Sequence, residues 1–196
     1  MADEPRPTDQ VRLNDFLTLT AHCRNLFSPD ECDRILAMRE GPGLQAEVET
    51  GGAGEQAVKE TVRKTALYPL RLSVDHWLNE RVQALFGTVN QQYFHFRLHY
   101  LSTLTLLEYR QGGFFDWHVD LGTGESSSRK LSLIAFLSEP ESYGGGKLLM
   151  DVNGRPVEQA RGAAVIFPSY KVHRVEEVSH GIRYSLVCWA HGDAFI

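Results

Sequence analysis

Residues 103–120 read TLTLLEYRQGGFFDWHVD, and the fold turns on how this stretch is read. A short apolar run, 103–109, meets a turn at Gly112-Gly113 and is followed by Trp117-His118-Val119-Asp120. Short apolar runs bounded by glycine turns read as strands. In a strand, residues two apart point to one side. His118 and Asp120 therefore present a ring nitrogen and a carboxylate oxygen to the same point, where one ion can take both.

The pattern continues downstream. Apolar runs at 131–137, 147–152, 163–167 and 183–190 alternate with Gly122-Thr123-Gly124, Gly144-Gly145-Gly146, Asn153-Gly154 and Gly181. Many short strands with glycine turns imply a sandwich or barrel. Upstream, Phe94, Phe96, Leu98 and Tyr100 alternate with His95, Arg97 and His99, which predicts a strand from about residue 94. Earlier still the period changes. Ser28-Pro29-Asp30-Glu31 predicts a capped helix start, with Pro29 in the first turn, an apolar stripe to about Glu40 and a stop at Gly41-Pro42-Gly43. Trp77, Leu78, Val82, Leu85, Phe86 and Val89 predict a second helix over 73–90. Residues 41–57, rich in glycine, read as a connecting loop, with a lid over a pocket as the alternative. The expected architecture is mainly β with flanking helices: a polar tail over 1–10 and one domain over 11–196. Within it a helical layer, about 26–92, packs on a β core, about 93–196.

Composition narrows the function classes. Of 196 residues, 42% are hydrophobic and 23% charged, as in ordinary globular proteins, and the net charge is −5. That sign disfavours a nucleic-acid partner for the whole surface. No apolar run reaches the roughly 20 residues of a membrane helix, and the first ten residues lack a signal peptide's apolar stretch. A cytoplasmic protein that does not enter membranes is expected. Cys23, Cys32 and Cys188 are widely spaced and form no CxxC pair, so reduced, buried thiols are expected.

The His-x-Asp pair is weak by itself. Eight histidines and ten aspartates give about 0.4 such pairs by chance. It gains weight from His173, beyond an apolar run ending Ile166-Phe167-Pro168-Ser169. Two imidazoles and one carboxylate on a β scaffold suit Fe(II) and leave coordination positions open. Arg183 and Ser185 then share a strand face, and a guanidinium beside a hydroxyl suits the remote end of a dicarboxylate.

These residues, in this order, resemble a known family. Tyr109, Gly112, His118-Val119-Asp120, Arg129-Lys130-Leu131-Ser132, Tyr143-Gly144-Gly145-Gly146-Lys147-Leu148, Phe167-Pro168-Ser169, His173-Arg174-Val175 and Gly181-Ile182-Arg183 are similar to the prolyl-4-hydroxylase-like 2-oxoglutarate/Fe(II) dioxygenases, the bacterial PKHD-type hydroxylases above all. Val62-Arg63-Lys64-Thr65 is a weaker echo. The resemblance implies a double-stranded β-helix, or jelly roll. It implies that His118, Asp120 and His173 bind Fe(II), that Arg183 pairs with the distal carboxylate of 2-oxoglutarate, and that Tyr109 contacts the co-substrate with Ser185 as a weaker addition. Dioxygen is then the second co-substrate and ascorbate a reductant. The implied reaction hydroxylates a C–H bond, prolyl or another amino-acid side chain in a protein or peptide, and decarboxylates 2-oxoglutarate to succinate. Phe136 departs from the pattern, since animal prolyl hydroxylases carry a co-substrate tyrosine at that position.

Other readings stay open. The substrate can be a free amino acid or another small molecule, read by the loops at 41–57 and 114–128. A metal-binding jelly-roll sensor or sugar-binding module is the non-enzymatic alternative, although such a module needs no dicarboxylate clamp. Phe115 and Trp117 flank the metal motif and are candidates for the substrate pocket. His191 shares the Arg183 strand face but lies about 26 Å along it, too far for the same ion. His95 and His99 read as polar-face residues, and Glu139 and Glu141 as solvated turn residues. No GxSxG, phosphate loop or GxGxxG supports a hydrolase or a nucleotide site.

Overall fold

The computed structural model describes residues 14–46, 61–151 and 153–195, with the backbone of 48–49 and 56–57. The 1–10 tail lies outside the described residues, as does part of the 41–57 loop.

In order along the sequence the first strands are β1 (Ala21–Cys23), β2 (Leu44–Gln45), β3 (Val48–Glu49), β4 (Gln56–Ala57), β5 (Arg63–Lys64) and β6 (Ala66–Pro69). The barrel strands follow: β7 (Leu98–Leu101), β8 (Thr105–Tyr109), β9 (Phe114–His118), β10 (Arg129–Phe136), β11 (Tyr143–Gly145), β12 (Leu148–Met150), β13 (Arg155–Pro156), β14 (Ala164–Pro168), β15 (His173–Val175), β16 (Val178–Gly181) and β17 (Arg183–Gly192). Two helices are α1 (Pro29–Ala37) and α2 (Trp77–Val89).

The larger sheet runs β1-β14-β10-β17-β8-β6-β2, with β7 also paired to β17, and the smaller runs β13-β12-β15-β9-β5. All these pairings are antiparallel. This is the jelly-roll core that the family resemblance implies, one form of the sandwich or barrel expected from the strand pattern. Period-two alternation divides the large sheet's side chains between two cores. Leu106, Leu133, Ile166 and Leu186 pack outward with Leu78, Val82 and Phe86 of α2. Leu107, Ile134, Phe167 and Val187, their neighbours in sequence, pack inward with Leu148, Val175 and Tyr109. A sheet covered on both faces needs apolar residues at every position, which is why these strands read as continuous runs. Each such residue contributes about 1.5–3 kcal/mol relative to exposure.

The first helix starts where its cap predicts. The Glu31 amide donates to Ser28 Oγ at 3.2 Å, and the Ser28 amide donates to Glu31 Oε2 at 2.9 Å. The second starts later than predicted, because the His76 ring caps it by accepting from the Leu78 amide at 3.3 Å. A correction applies beyond it. Phe94 and Phe96 are not strand residues: α2 runs into a π-turn over Asn90–Phe94, and His95 adopts φ 58°. The Asn90 side chain holds this geometry, accepting from the Phe96 amide at 2.9 Å and donating to its carbonyl at 2.8 Å. Strand β7 thus begins at Leu98. The region expected to be a helical layer also contributes strands, since β2 and β6 extend the large sheet and β5 the smaller one.

All three cysteines are free thiols, Cys32 and Cys188 buried and Cys23 partly so. Among the described residues no helix is long and apolar enough to cross a membrane.

Candidate metal centre

His118 closes β9, and His173 opens β15 directly opposite it in the strand register. Asp120 lies just past β9, where its amide donates to the Ser169 carbonyl at 2.8 Å and the Leu121 amide donates to the same oxygen at 2.9 Å. These two bonds tie the post-strand segment to the end of β14 and turn the carboxylate inward. One ligand atom from each of the three residues falls within 4.8 Å of the others. His118 Nε2 stands 3.7 Å from Asp120 Oδ1, and His173 Nε2 stands 3.7 Å from Oδ2.

The remaining ring nitrogens are occupied. His118 Nδ1 is 2.7 Å from the Asp116 carbonyl and His173 Nδ1 is 2.9 Å from the Lys171 carbonyl. A carbonyl only accepts, so each Nδ1 carries the proton and each Nε2 keeps its lone pair for a cation. Phe115 stacks on the His118 ring at 3.4 Å, and Phe167 meets the His173 ring edge-on at 4.8 Å.

Electrostatics agree with this assignment. Burial, reinforced by neighbouring His173, pushes His118 down to about 3, which keeps the imidazole neutral. For Asp120 burial acts upward, but His173 and His118 outweigh it, and the carboxyl sits at about 2. A divalent metal needs an ionised carboxylate and unprotonated imidazole nitrogens, and these shifts favour that state at Asp120 and His118.

The donors open on a cavity of about 960 Å³. Tyr109, Phe115, Arg63, Arg129, Ile134 and Trp189 line it, with Leu44 and Val119 among the exposed residues of its wall. Arg183 is not a wall residue. It lies 1% exposed, with its guanidinium carbon 5.3 Å from the Tyr109 ring and 5.8 Å from the Phe136 ring. One Nη donates to Ser185 Oγ at 3.3 Å and the other to Gln159 Oε1 at 3.1 Å, while Nε has no partner. No carboxylate pairs with it among the described residues. A buried guanidinium left without an acid carries a large desolvation cost. The glycine run accommodates the side chain: Gly146 has φ 59°, and a Cβ there would come within 2.9 Å of Arg183 Cδ. A donor set of two imidazoles and a carboxylate, with an acid-free guanidinium behind the same cavity, fits Fe(II) and a dicarboxylate.

The structure thus brings together His118, Asp120 and His173, and places Tyr109, Arg183 and Ser185 on facing strands, Tyr109 opposite Arg183 in register. Phe115 lines the cavity. Trp117 does not: alternation along β9 turns it away from His118, 37% exposed, with Arg174 5.4 Å from its ring. His191 is buried in the large sheet, hydrogen-bonded to Ser128 Oγ at 2.9 Å and stacked on Tyr100. The sequence by itself points to no role for Gln159, Arg63, Arg129 or Trp189. Arg63 and Arg129 stand inside stretches that carry the family resemblance, but Gln159 sits in a connector with no pattern around it.

The family model described as the 2OG-Fe(II) oxygenase superfamily matches residues 104–191, which include His118, Asp120, His173, Tyr109 and Arg183. A PKHD-type hydroxylase of Pseudomonas putida (strain W619) is 32% identical over 182 residues, 86% of this chain and 76% of that protein. Another, from Pseudomonas paraeruginosa, is 32% identical over 185 residues, with the same coverage of both proteins. Among solved structures, a Pseudomonas putida prolyl-4-hydroxylase superposes with a TM-score of 0.62 at 22% identity, covering 89% of this chain and 93% of that one. A viral collagen prolyl hydroxylase from Paramecium bursaria Chlorella virus-1 superposes with a TM-score of 0.66 at 15% identity, covering 89% and 96%. The jelly roll, the His/Asp/His centre and these relatives lead to one assignment: the chain belongs to the 2-oxoglutarate/Fe(II) oxygenase superfamily and is similar to its PKHD-type hydroxylases.

Proposed function

We propose that His118, Asp120 and His173 hold the Fe(II) of this oxygenase. Arg183 anchors the distal carboxylate of 2-oxoglutarate, with Tyr109 and Ser185 beside it. The reaction is hydroxylation of an unactivated C–H bond in an amino-acid side chain of a protein or peptide, prolyl foremost, coupled to decarboxylation of 2-oxoglutarate to succinate. One observation carries this reading: a buried guanidinium without an acid partner among the described residues lies behind the cavity that the His/Asp/His donors open on.

Bound iron, together with 2-oxoglutarate and dioxygen, supplies the oxidising power, one oxygen atom passing to substrate and the other to succinate as carbon dioxide leaves. The protein's own residues do the rest. Asp120 supplies the anionic ligand, and the Asp116 and Lys171 carbonyls fix both imidazole tautomers. Phe115 and Phe167 pack against the imidazoles and exclude water from those faces. Ser185 and Gln159 orient Arg183, and Tyr109 stands between that cation and the cavity. Phe136 has no hydroxyl to offer, so Tyr109 and Ser185 provide the hydroxyls near the guanidinium. Ascorbate serves as the reductant that keeps the metal ferrous.

Two facts support a peptide substrate. Leu44 and Val119 expose apolar surface beside the cavity. A structural neighbour with a TM-score of 0.65, 14% identical, is a prolyl hydroxylase from Trichoplax adhaerens in complex with a hypoxia inducible factor peptide fragment. The test is succinate formation with Fe(II), 2-oxoglutarate and oxygen, alone and with proline-containing peptides. The expected result is slow succinate release without peptide, faster release with an accepted peptide and a one-oxygen mass gain in that peptide. Absence of iron-dependent succinate under every condition would count against the reading.

A further inference from the structure

Arg63 is a second cation at the metal cavity. It lies on β5, held against β9 by pairing with Phe115. Its guanidinium carbon stands 4.4 Å from the Phe115 ring, and that ring stacks on ligand His118. Its Nε is buried without a partner, and among the described residues no carboxylate lies in salt-bridge range of it. The polar groups acting on it are the Tyr109 hydroxyl and the Asp120 carboxylate. Arg63 therefore stands beside the metal donors, separated from His118 by the Phe115 ring.

Charge balance gives this position its meaning. On the oxygenase reading, the divalent metal and Arg183 bring three positive charges to the filled site. Asp120 and the two carboxylates of 2-oxoglutarate bring three negative charges. Arg63 is left over, in surroundings where an uncompensated charge costs several kcal/mol. Among the described residues, metal and co-substrate leave no anion for Arg63, and the substrate is the remaining component of the filled site that can bring one.

We propose that Arg63 recognises a carboxylate on the substrate, so that the hydroxylated group is, or adjoins, an acidic side chain, a peptide's C-terminal carboxylate or a free amino acid. This inference rests on the 2-oxoglutarate reading of the site and narrows its substrate class. A fork of N–H donors with one atom unused suits a carboxylate and offers nothing comparable to a neutral amide.

The test compares matched probes on the intact protein loaded anaerobically with Fe(II) and 2-oxoglutarate. The pairs are glutamate and glutamine, aspartate and asparagine, and Gly-Pro-Gly with a free or an amidated C-terminus. The readouts are the shift each probe causes in the visible metal-to-ligand band and, in air, the succinate released above the probe-free rate. At least one carboxylate member is expected to shift the band and stimulate succinate with at least about tenfold lower half-saturation than its neutral partner. Which pair responds separates an acidic side chain from a peptide terminus. Arg63→Gln should bring the members of that pair to within about twofold, and Arg63→Lys should keep part of the preference. Equal responses within every pair, or no response to any carboxylate, overturns the proposal. So does a large preference that survives in Arg63→Gln. If Arg63→Gln instead raises the 2-oxoglutarate concentration needed for the band by an order of magnitude, the arginine serves the co-substrate and the proposal is wrong. A protein that forms no band at all with Fe(II) and 2-oxoglutarate fails at the underlying reading, and the substrate inference falls with it.

Discussion

His118 and His173 face one another directly across an antiparallel strand pair, their ring centroids 4.1 Å apart. This cross-strand relationship builds the centre. A ladder sets the spacing of opposed residues, so two imidazoles far apart in sequence are brought to one point by backbone pairing rather than by a loop. Asp120 joins them because its amide is pinned to Ser169. The cost is two imidazoles and a carboxylate held in close contact with little solvent access, and that cost has a measurable pH signature.

In the metal-free protein His118 titrates near 3, against 6.5 for a free imidazole, and Asp120 near 2, against 3.8. Between pH 3 and 6.5 the unfolded protein binds more protons than the folded one, so stability falls as pH drops through that window, with Asp120 adding below about pH 4. Denaturant unfolding of chelator-treated protein should show about 2 kcal/mol less stability from His118 at pH 5 than at pH 7. His118→Gln should flatten that slope. Wild-type and variant curves of equal slope between pH 5 and 7 would show that burial of this imidazole is not what the acid limb reports.

Gln159 holds one Nη of Arg183 and also accepts from the Leu148 amide at 3.2 Å. Removing it leaves the guanidinium positioned by Ser185 alone. Gln159→Ala is expected to raise the KM for 2-oxoglutarate about tenfold while kcat at saturating co-substrate changes little. Gln159→Glu, which supplies the missing anion inside the protein, should raise KM further. A fall in kcat with KM unmoved would assign Gln159 to another step.

Glu108, next to Tyr109 on β8, is 3% exposed and receives Arg39 at 2.9 Å, the Tyr184 hydroxyl at 3.1 Å and Arg110 at 2.6 Å. Arg39 lies just past α1, so this network fastens the helical layer to the strand that carries Tyr109. Glu108→Ala strips the acid from under two arginines and should cost about 3 kcal/mol, a drop in Tm of roughly 10 °C at this size. A loss under about 2 °C would mean that the surrounding side chains repack freely.

Much of this molecule is legible from its sequence, for identifiable reasons. His118, His173 and Arg183 stand at strand ends and Asp120 just past one, so residue type, local period and order all carry information. The Ser28 capping box is local chemistry and is readable in the same way. The continuous runs such as 131–137 announce strands but hide which residue faces which core. Leu133 and Ile134 look alike in sequence yet belong to different layers. Phe94 and Phe96 mislead because one Asn90 side chain overrides an alternating pattern. Trp117 adjoins His118 in sequence, but strand alternation governs its direction and turns it outward. Gln159 reaches Arg183 only through the fold, and no spacing rule finds it.

The central claim is that three side chains and a remote guanidinium form one site for Fe(II) and 2-oxoglutarate. Anaerobic titration of the protein with Fe(II) and 2-oxoglutarate, followed in the visible spectrum and repeated with Asp120→Ala, tests it most directly. A weak metal-to-ligand band that saturates at one equivalent of iron in the wild type and vanishes in the variant is the expected result. A wild-type protein without the band, or a variant that retains it, would contradict the account.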